Sequence, residues 1–426
     1  MKRSSIQKIL IILLASFGTP CFVEGQSVPT DANHSGGTPK KPLNNDAPLE
    51  ILIESMRSED INTRNRAISF IMSRGPKAKA AVPALINNLE TNYMIEMTLH
   101  ALKAIGPNAA PAIPALFRAL TAYPDHPAAS WTAAHALANI GDAAISTLEK
   151  GISSGNGCER IWCHAAMAKI EGPKSGHFQF LAAAMLSDND TTSLEAIRAL
   201  TMIGSDSKIV LPQIIEAMDK QATAKTDLAM LLAQMKTAAS PAIPQLVALL
   251  DHSHPITRQT AAFALSEIGG SEVRPAVPGL IKMLSASENY VREMAVIALG
   301  NTGPSAELSV CSLIGRLKDK GEDERIRLAA ARALGEIAPA DTSVLEALLA
   351  AMKDDIQSVR DSAASVLAKS APVTKEIINI FIGLSEDDKH GVNRACRTFF
   401  RRPDLGDKDL IPKQYRLHYG APVYFN

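Results

Sequence analysis

Aromatic residues are scarce in this 426-residue sequence, where Phe, Trp and Tyr together make up only 4%. A core poor in rings must be filled by Ala, Leu, Ile, Val and Met, whose smaller side chains let helices approach closely. The sequence also lacks net charge, with 44 basic and 44 acidic residues. This balance argues against a nucleic-acid-binding protein, which normally has a basic excess. The hydrophobic share of 46% excludes a disordered chain.

Short motifs of common metal and phosphate sites are missing as well. The sequence contains no His-Glu dipeptide, no Cys-x-x-Cys, no His-x-x-x-His and no Gly-rich phosphate loop. The ten histidines are scattered singly, although His100 and His135 occupy equivalent repeat positions. The sequence therefore predicts no catalytic residue, no metal site and no cofactor.

The only long apolar run near the beginning of the chain is Ile9–Phe17, which follows three basic residues in MKRSSIQK. This run is too short to cross a membrane, and small residues follow at Val23 and Gly25. The pattern predicts a secretory signal peptide over residues 1–25, cleaved before Gln26, and hence an exported protein. Pro20 directly before Cys21 argues against a lipoprotein signal. Residues 26–48 are rich in Pro, Gly, Asn and Ser and predict a flexible linker.

One unit of 30 to 35 residues recurs from Leu49 to about Phe400. The stretch IGPNAAPAIPALFRAL (Ile105–Leu120) illustrates it, and RGPKAKAAVPALINNL (Arg74–Leu89) precedes it by 31 residues. A fixed period in this range predicts a solenoid rather than a set of globular domains. The equivalent turn positions are Gly75, Gly106, Gly141, Glu171, Gly204, Met235, Gly269, Gly303, Ala338 and Ala371.

Each unit is predicted to contain two helices. In VREMAVIALGNTG (Val291–Gly303), small and apolar residues recur at spacings of three, four and seven, which place them on one helical face. The turn glycine is expected to adopt the left-handed conformation that ends the first helix. The second helix begins near the proline of Val-Pro-x-Leu, where a missing N–H costs little. The prolines are therefore expected to mark the connections and to stay out of helix interiors.

These units resemble HEAT repeats of the short type named after the bilin lyases. In that family the first helix opens with D-x-x-[VI]-R and continues A-x-x-A-L-x-x-I-G. Glu288–Arg292 and Asp323–Arg327 match this opening well, and Asp60–Arg64 matches it loosely. The resemblance covers about four-fifths of the chain and implies an all-α, right-handed solenoid of about ten helix–turn–helix repeats over residues 49–400. The sixth repeat departs from the pattern because it has no arginine.

The most regular polar feature is a series of arginines: Arg64, Arg160, Arg258, Arg292, Arg327 and Arg360. An acidic residue four positions earlier can cap the helix, and the arginine can bridge to the neighbouring repeat. A ladder of anion-binding sites along one groove is the functional alternative. We favour the structural role because stacked repeats must satisfy their helix ends.

The cysteines allow two interpretations. Cys158, Cys163 and His164 form C-x-x-x-x-C-H, a variant of the attachment signature of c-type haem. However, Cys163 and Cys396 fall where other repeats have alanine, and Cys311 falls where other repeats have proline. We therefore expect small core residues rather than a haem site.

The C-terminal end concentrates charge and aromatic rings. Residues 389–426 contain eight Lys or Arg against three Asp, a balance of +5, together with Phe399, Phe400, Tyr415, Tyr419, Tyr424 and Phe425. We expect residues 401–426 to cap the last repeat, since terminal repeats must cover an apolar face. The alternative is that Arg394, Arg397, Arg401 and Arg402 attract an anionic partner.

The sequence thus favours an exported, non-catalytic scaffold that binds a protein through the surface of successive second helices. These helices carry polar residues: Asn87, Asn88, Arg118, Gln213, Glu216, Gln245, Lys282 and Arg316. The alternative is an enzyme or cofactor-handling protein of the bilin-lyase or deoxyhypusine-hydroxylase type, which share related repeats. The hydroxylases need several His-Glu dipeptides for iron, and this sequence has none. A nucleic-acid partner is not expected.

Overall fold

The predicted helices are present in the computed structural model of the chain. The structure describes residues 43–123, 125–126, 128–221, 223–372, 374–386, 393–402 and 405. The predicted signal peptide, residues 26–42 of the predicted linker, and residues 403–426 apart from Leu405 lie outside the described residues. Within the described ranges every regular element is helical, and none of those residues forms a strand. No helix among them is long and apolar enough to span a membrane.

From α2 onward, even-numbered helices are the first and odd-numbered helices the second members of the repeats. The α-helices are α1 (Leu49–Ser55), α2 (Ile61–Arg74), α3 (Val82–Glu90), α4 (Ile95–Ile105), α5 (Ile113–Arg118), α6 (Ala129–Ile140), α7 (Ile145–Ser154), α8 (Gly157–Glu171), α9 (His177–Met185), α10 (Asp190–Ile203), α11 (Leu211–Lys220), α12 (Lys225–Met235), α13 (Ile243–Leu249), α14 (Pro255–Ile268), α15 (Val277–Met283), α16 (Asn289–Thr302), α17 (Val310–Lys318), α18 (Glu324–Ile337), α19 (Thr342–Ala351), α20 (Gln357–Ser370), α21 (Lys375–Glu386) and α22 (Asn393–Phe400).

The chain divides into two compact units, one ending at Ala217 and the other beginning at Met218. In the first unit the first helices α2, α4, α6, α8 and α10 pack in sequence order, each against the next. The second helices α3, α5, α7 and α9 each pack against the first helix that follows them in the chain, as α7 packs against α8. This arrangement is an all-α helical stack, as the period of the sequence predicts.

The second unit is a stack of the same kind, in which α12, α14, α16, α18, α20 and α22 follow one another. Its first helices meet through residues with little or no side chain. Ala261, Ala295, Ala330 and Ala363 are fully buried at the predicted alanine position. A methyl group at Gly335 would collide with Cγ1 of Val366 on the next first helix. The scarcity of aromatic residues is thus matched by helices that approach closely.

The turn glycines have positive φ, but they do not adopt the left-handed helical conformation that the sequence led us to expect. Gly75 has φ 53° and ψ −130°, and Gly106 has φ 64° and ψ −134°. These angles resemble the first central position of a type II′ turn, which strongly favours glycine. At these glycines the chain turns directly from the first helix into the next helical segment, and this turn requires an extended ψ.

Two of the predicted turn positions are wrong by one residue. The fourth repeat has its positive φ at Gly172 and not at Glu171, and the sixth has it at Lys236 and not at Met235. Lys236 has φ 53° and ψ −134°, a conformation costing a residue with a Cβ roughly 1–3 kcal/mol. Ala338 and Ala371 have negative φ, so the last two turns of this kind need no glycine.

Most connections between first and second helices are 3₁₀ helices of four to seven residues, such as Gly106–Ala112 and Lys236–Ala242. The first-turn prolines lie near the start of the second helices, as at Pro83 of α3 and Pro244 of α13. However, Pro111 lies inside a 3₁₀ helix, against the expectation that prolines avoid helix interiors. The proline ring fixes φ near −65°, which suits a 3₁₀ helix.

The aromatic residues at the C-terminal end belong to the core of the last helices. Phe399 and Phe400 of α22 are buried, and Phe399 stacks on Phe381 of α21 with ring centroids 4.2 Å apart. Arg402 donates from Nη1 to the carbonyl oxygen of Ala371 at 2.6 Å and lies over the Phe399 ring. The guanidinium of Arg402 is therefore engaged within the fold. The rest of the predicted cap, residues 403–426 apart from Leu405, lies outside the described residues together with its four aromatic rings.

Candidate binding surfaces

The arginines of the second unit form a ladder between neighbouring repeats. Arg292 of α16 donates from Nε and Nη2 to the two carboxylate oxygens of Glu322, at 3.0 and 2.7 Å. Arg258 of α14 donates to Glu288 at 3.2 Å, and Arg327 of α18 donates to Asp354. Each acid lies shortly before the first helix of the next repeat. The predicted bridging to the neighbouring repeat is confirmed for these three arginines.

The same side chains also close the loop before their own helix. Arg64, Arg258, Arg292 and Arg360 each donate from Nη1 to the carbonyl oxygens six and five residues earlier, at 2.5–3.1 Å. Asp60 and Asp323 accept hydrogen bonds from backbone N–H groups at the start of α2 and α18, whereas Glu288 makes no such cap. The guanidinium groups are thus engaged internally, which supports the structural role over a ladder of anion sites.

The second-helix residues named as candidate contacts differ widely in exposure. Asn88 is buried, with 7% of its surface exposed, so it cannot contact a partner. Arg118 pairs with Glu90 at 3.2 Å and Lys282 pairs with Asp251 at 2.6 Å, each on the preceding second-helix segment. Gln245 contacts Asp219 at 3.5 Å, and Arg316 pairs with Glu322 at 3.0 Å. Asn87 and Glu216 are exposed and Gln213 is partly buried. Four of these eight polar side chains therefore pair with a residue of a neighbouring repeat.

A row of exposed apolar residues follows the 3₁₀ connections and was missed in the sequence analysis. Each connection contributes two positions to this row. They are the proline in the first turn of the second helix and the residue three positions before that proline. The exposed side chains in the second unit are Pro241, Pro244, Pro275, Pro278 and Leu308. Leu308 is 78% exposed. The recurring Pro-x-x-Pro spacing could have revealed this row, which we call the connection row.

Within the connection row lies an open groove of about 690 Å³. Its walls come from the 3₁₀ helix Lys236–Ala242, the first turns of α13 and the following connection Ser271–Ala276. Its lining residues are Ser240, Pro241, Ile243, Pro244, Val247, Glu272 and Pro275. The groove is wide open to solvent, and its lining is apolar except for Ser240 and the carboxylate of Glu272.

The first unit contains a chain of two histidines and a glutamate. Nδ1 of His164 and Nδ1 of His177 share a hydrogen bond of 2.8 Å, and Nε2 of His177 lies 3.3 Å from Oε2 of Glu171. His164 also stacks on Phe180, with ring centroids 3.7 Å apart. Burial, with the charges of His177 and Arg160, lowers the pKa of His164 to about 4. A neutral His164 can accept the shared bond, and the chain ties α8 to α9 where no 3₁₀ helix joins them.

The cysteines agree only in part with their expected role. Cys163 and Cys396 are fully buried, and burial raises the pKa of the Cys163 thiol to about 12. Cys311, by contrast, is exposed, so the expectation that it is a core residue is wrong. Cys311 occupies the repeat position at which Pro244 and Pro278 are exposed, which accounts for the exposure of its side chain. Among the described residues no group of three or more His, Cys, Asp or Glu is arranged to hold a metal.

One serine motif was overlooked in the sequence. Gly151–Gly155 (GISSG) fits the letters of the GxSxG nucleophile motif, which requires a sharp turn between a strand and a helix. Here Ser153 lies in the last turns of α7, and its hydroxyl donates to the carbonyl oxygen of Glu149 at 2.9 Å. Ser153 is exposed, but it lies within a helix, so the motif lacks the strand–turn–helix geometry of a nucleophile elbow.

Comparison with known proteins agrees with the helical repeats. Residues 277–368 match the family model of HEAT repeats. This match and the stacked helix pairs confirm the predicted class, a HEAT repeat protein with an all-α solenoid fold. HEAT and armadillo-like repeat folds commonly mediate protein binding. A search of curated proteins finds no match.

Several solved structures are similar at low identity. An engineered protein is 21% identical, with a TM-score of 0.47, covering 84% of this chain and 98% of its own. A designed armadillo repeat protein in complex with the peptide (KR)4 is 19% identical, with a TM-score of 0.40, covering 45% and 98%. Kap121p is 14% identical, with a TM-score of 0.45, covering 84% and 46%. The chain thus spans about half the length of Kap121p.

Proposed function

We propose that this protein is an exported, non-catalytic scaffold that binds another protein through the surface of its helical stack. The observation that carries the proposal is the connection row of the second unit with its apolar groove. Exposed apolar residues are ordinary when they are single, but a contiguous, concave group marks an interaction surface. The short, bilin-lyase-like form of the repeat is part of this proposal and rests on the arginine motifs of the sequence.

The chemistry of the groove suits one apolar side chain of a partner protein. Proline loses almost no side-chain entropy on binding, so a wall of prolines is preorganised for contact. Interfaces commonly place an aromatic or aliphatic anchor in such a pocket and surround it with polar contacts. The first turns of α13 form part of the wall, so the groove borders the second-helix surface that the sequence favoured. Exposed pairs such as Lys282–Asp251 would form the polar surroundings.

A non-catalytic role is supported by how the polar groups are used. The arginine series is tied to carbonyl oxygens and carboxylates, and the histidine chain joins two helices. The alternative, an enzyme of the bilin-lyase or hydroxylase type, finds no specific support in these contacts. Bound pigment or stoichiometric iron in the purified protein would favour that alternative.

Export can be tested on the natural protein. We expect mass spectrometry to find an N-terminus at or near Gln26 and the protein to be recovered outside the cytoplasm, because residues 1–25 have the layout of a cleaved signal. A cytoplasmic protein that retains Met1 would contradict the proposed export.

The binding role of the groove can be tested by capture from the cell envelope with residues 26–426 as bait. We expect the double variant Pro244→Glu, Leu308→Glu to lose a partner that the wild-type bait retains, because carboxylates would occupy the apolar surface. Both side chains are exposed, and glutamate is acceptable in the first turn of a helix, so the fold should be kept. Circular dichroism and the unfolding midpoint check this.

The matched control is Ile61→Glu, which places the same charge at another exposed apolar residue (57%) at the start of α2. It should retain the partner. If the double variant captures the same proteins as the wild type, the connection row is not the binding surface. If the control loses them equally, a general effect of charge is responsible.

A further inference from the structure

Four side chains with basic nitrogen atoms occupy matching positions on three consecutive first helices of the first unit. His100 of α4 and His135 of α6 each lie six residues before a turn glycine. Lys103 of α4 and Lys169 of α8 each lie three residues before one. The intervening helix has Ala138 at the lysine position. Because α6 packs directly between α4 and α8, a small residue at this position leaves room beside it for side chains from both neighbouring helices.

These four side chains have no hydrogen-bond or ion-pair partner among the described residues, in contrast to the arginine ladder. His100, Lys103 and His135 are partly buried and Lys169 is exposed, and Nδ1 of His135 is fully buried without a partner. Asn139 of α6 donates to the backbone carbonyl of Lys103 at 3.2 Å, which fixes the two helices against each other. This hydrogen bond joins α4 and α6 beside the cluster, whereas the side-chain nitrogen atoms of the cluster have no partner among the described residues.

The basic groups of the cluster disfavour one another's positive charge. Burial lowers the pKa of Lys103, and the charge of Lys169 lowers it further. Burial also lowers the pKa of His135 to about 4, with smaller contributions from Lys103, Lys169 and His100. A partly buried cation without a counter-charge is unfavourable, and an anion placed between the lysines would relieve both the desolvation and the repulsion. The two neutral imidazoles can also donate hydrogen bonds to it.

We propose that His100, Lys103, His135 and Lys169 form a site that binds a side-chain carboxylate of an acidic segment in a protein partner. This inference rests on the proposed function, since it specifies the chemistry of the partner. Trp131 lies one helical turn before His135 on the same face and is only partly buried, so it offers an apolar contact beside the charge. The absence of a basic excess in the chain argues against nucleic acid as the occupant.

The experiment measures the affinity of residues 26–426 for a short peptide of alternating Glu and Ala, by calorimetry and tryptophan fluorescence at low salt. We expect the wild type to bind this peptide and not its Gln counterpart. The double variant Lys103→Gln, Lys169→Gln should bind about tenfold more weakly or worse, because both cations at the site are lost. Its thermal stability should be unchanged or higher, since two like charges have been removed.

Two further variants make the result specific. Lys77→Gln, Lys150→Gln removes the same charge from exposed lysines of the same unit and should bind as the wild type does. Lys103→Arg, Lys169→Arg keeps the charge and should retain most of the affinity. Equal binding by the wild type and the Lys103→Gln, Lys169→Gln variant, or equal loss in the exposed-lysine control, would overturn the proposal. Tighter binding of inorganic phosphate than of the peptide would also overturn it.

The outcome is separable from the test of the proposed function. Partner capture depends on the connection row of the second unit, whereas peptide affinity depends on the first unit. A protein that captures its partner through the row but ignores the acidic peptide would refute only the carboxylate site.

Discussion

Replacing Asp354 with alanine is expected to lower the free energy of unfolding by about 3–5 kcal/mol, because a buried cation loses its partner. Arg327 is 1% exposed and donates to the Asp354 carboxylate, which is itself buried. Lys320 also contacts this carboxylate, at 2.7 Å, and the Ile356 N–H donates to its other oxygen at 3.0 Å. Urea unfolding followed by circular dichroism would measure the change.

The matched control is Asp251→Ala, which breaks an ion pair with Lys282 of the same unit. Both side chains of that pair are largely exposed, at 62% and 72%, so the loss should be below about 1 kcal/mol. Replacing Arg327 and Asp354 together by Met and Leu should recover much of the stability, since no uncompensated charge remains. A similar, small loss for Asp354→Ala and Asp251→Ala would contradict a buried pair between repeats.

Replacing Trp162 with alanine is expected to cost about 3–5 kcal/mol, the range for removing a large buried aromatic side chain. Trp162 is 1% exposed in α8, and its Nε1–H donates to Oε2 of Glu195 in α10 at 2.8 Å. The variant therefore leaves a cavity between two first helices and an unpaired glutamate oxygen. The midpoint of thermal unfolding would record the loss.

Trp131 provides the control, because both tryptophans lie ten residues before their turn glycines. Trp131 is only partly buried, so Trp131→Ala should be clearly less damaging than Trp162→Ala. Trp162→Phe keeps most of the apolar contact and loses the hydrogen bond, so it should fall between the wild type and Trp162→Ala. Equal losses at the two positions would mean that the repeat position, and not burial, sets the effect.

Local features of the fold were predictable because they repeat. The spacing of apolar residues predicted the helices, and Ala295 and Ala330 are buried as the pattern required. The glycine–proline spacing located the connections, although it did not reveal that they are 3₁₀ helices. The errors at Glu171 and Met235 arose because neighbouring residues satisfy the same pattern. Only the backbone angles distinguish Gly172 and Lys236 as the residues with positive φ.

The candidate surfaces were less predictable, because the same residue types serve inside and outside the fold. Asn88 looked like a surface residue of a second helix, yet it is buried. The bridging role of Arg292 could be anticipated, but its acceptor is Glu322, which lies 30 residues away. The Pro-x-x-Pro spacing marked the positions of the connection row, but only the structure showed that Pro241, Pro275 and Leu308 are exposed.

By itself the sequence determined the helix pairs, their repeat and the small residues between first helices, because these depend on spacings of a few residues along one chain. The tertiary structure alone decided which charges find partners and which do not. Lys103 and Lys169 are 66 residues apart in the chain. The charge of Lys169 nevertheless lowers the pKa of Lys103, because their helices pack on either side of α6. Burial and Coulomb interactions depend on distance in space, and a linear pattern does not specify that distance.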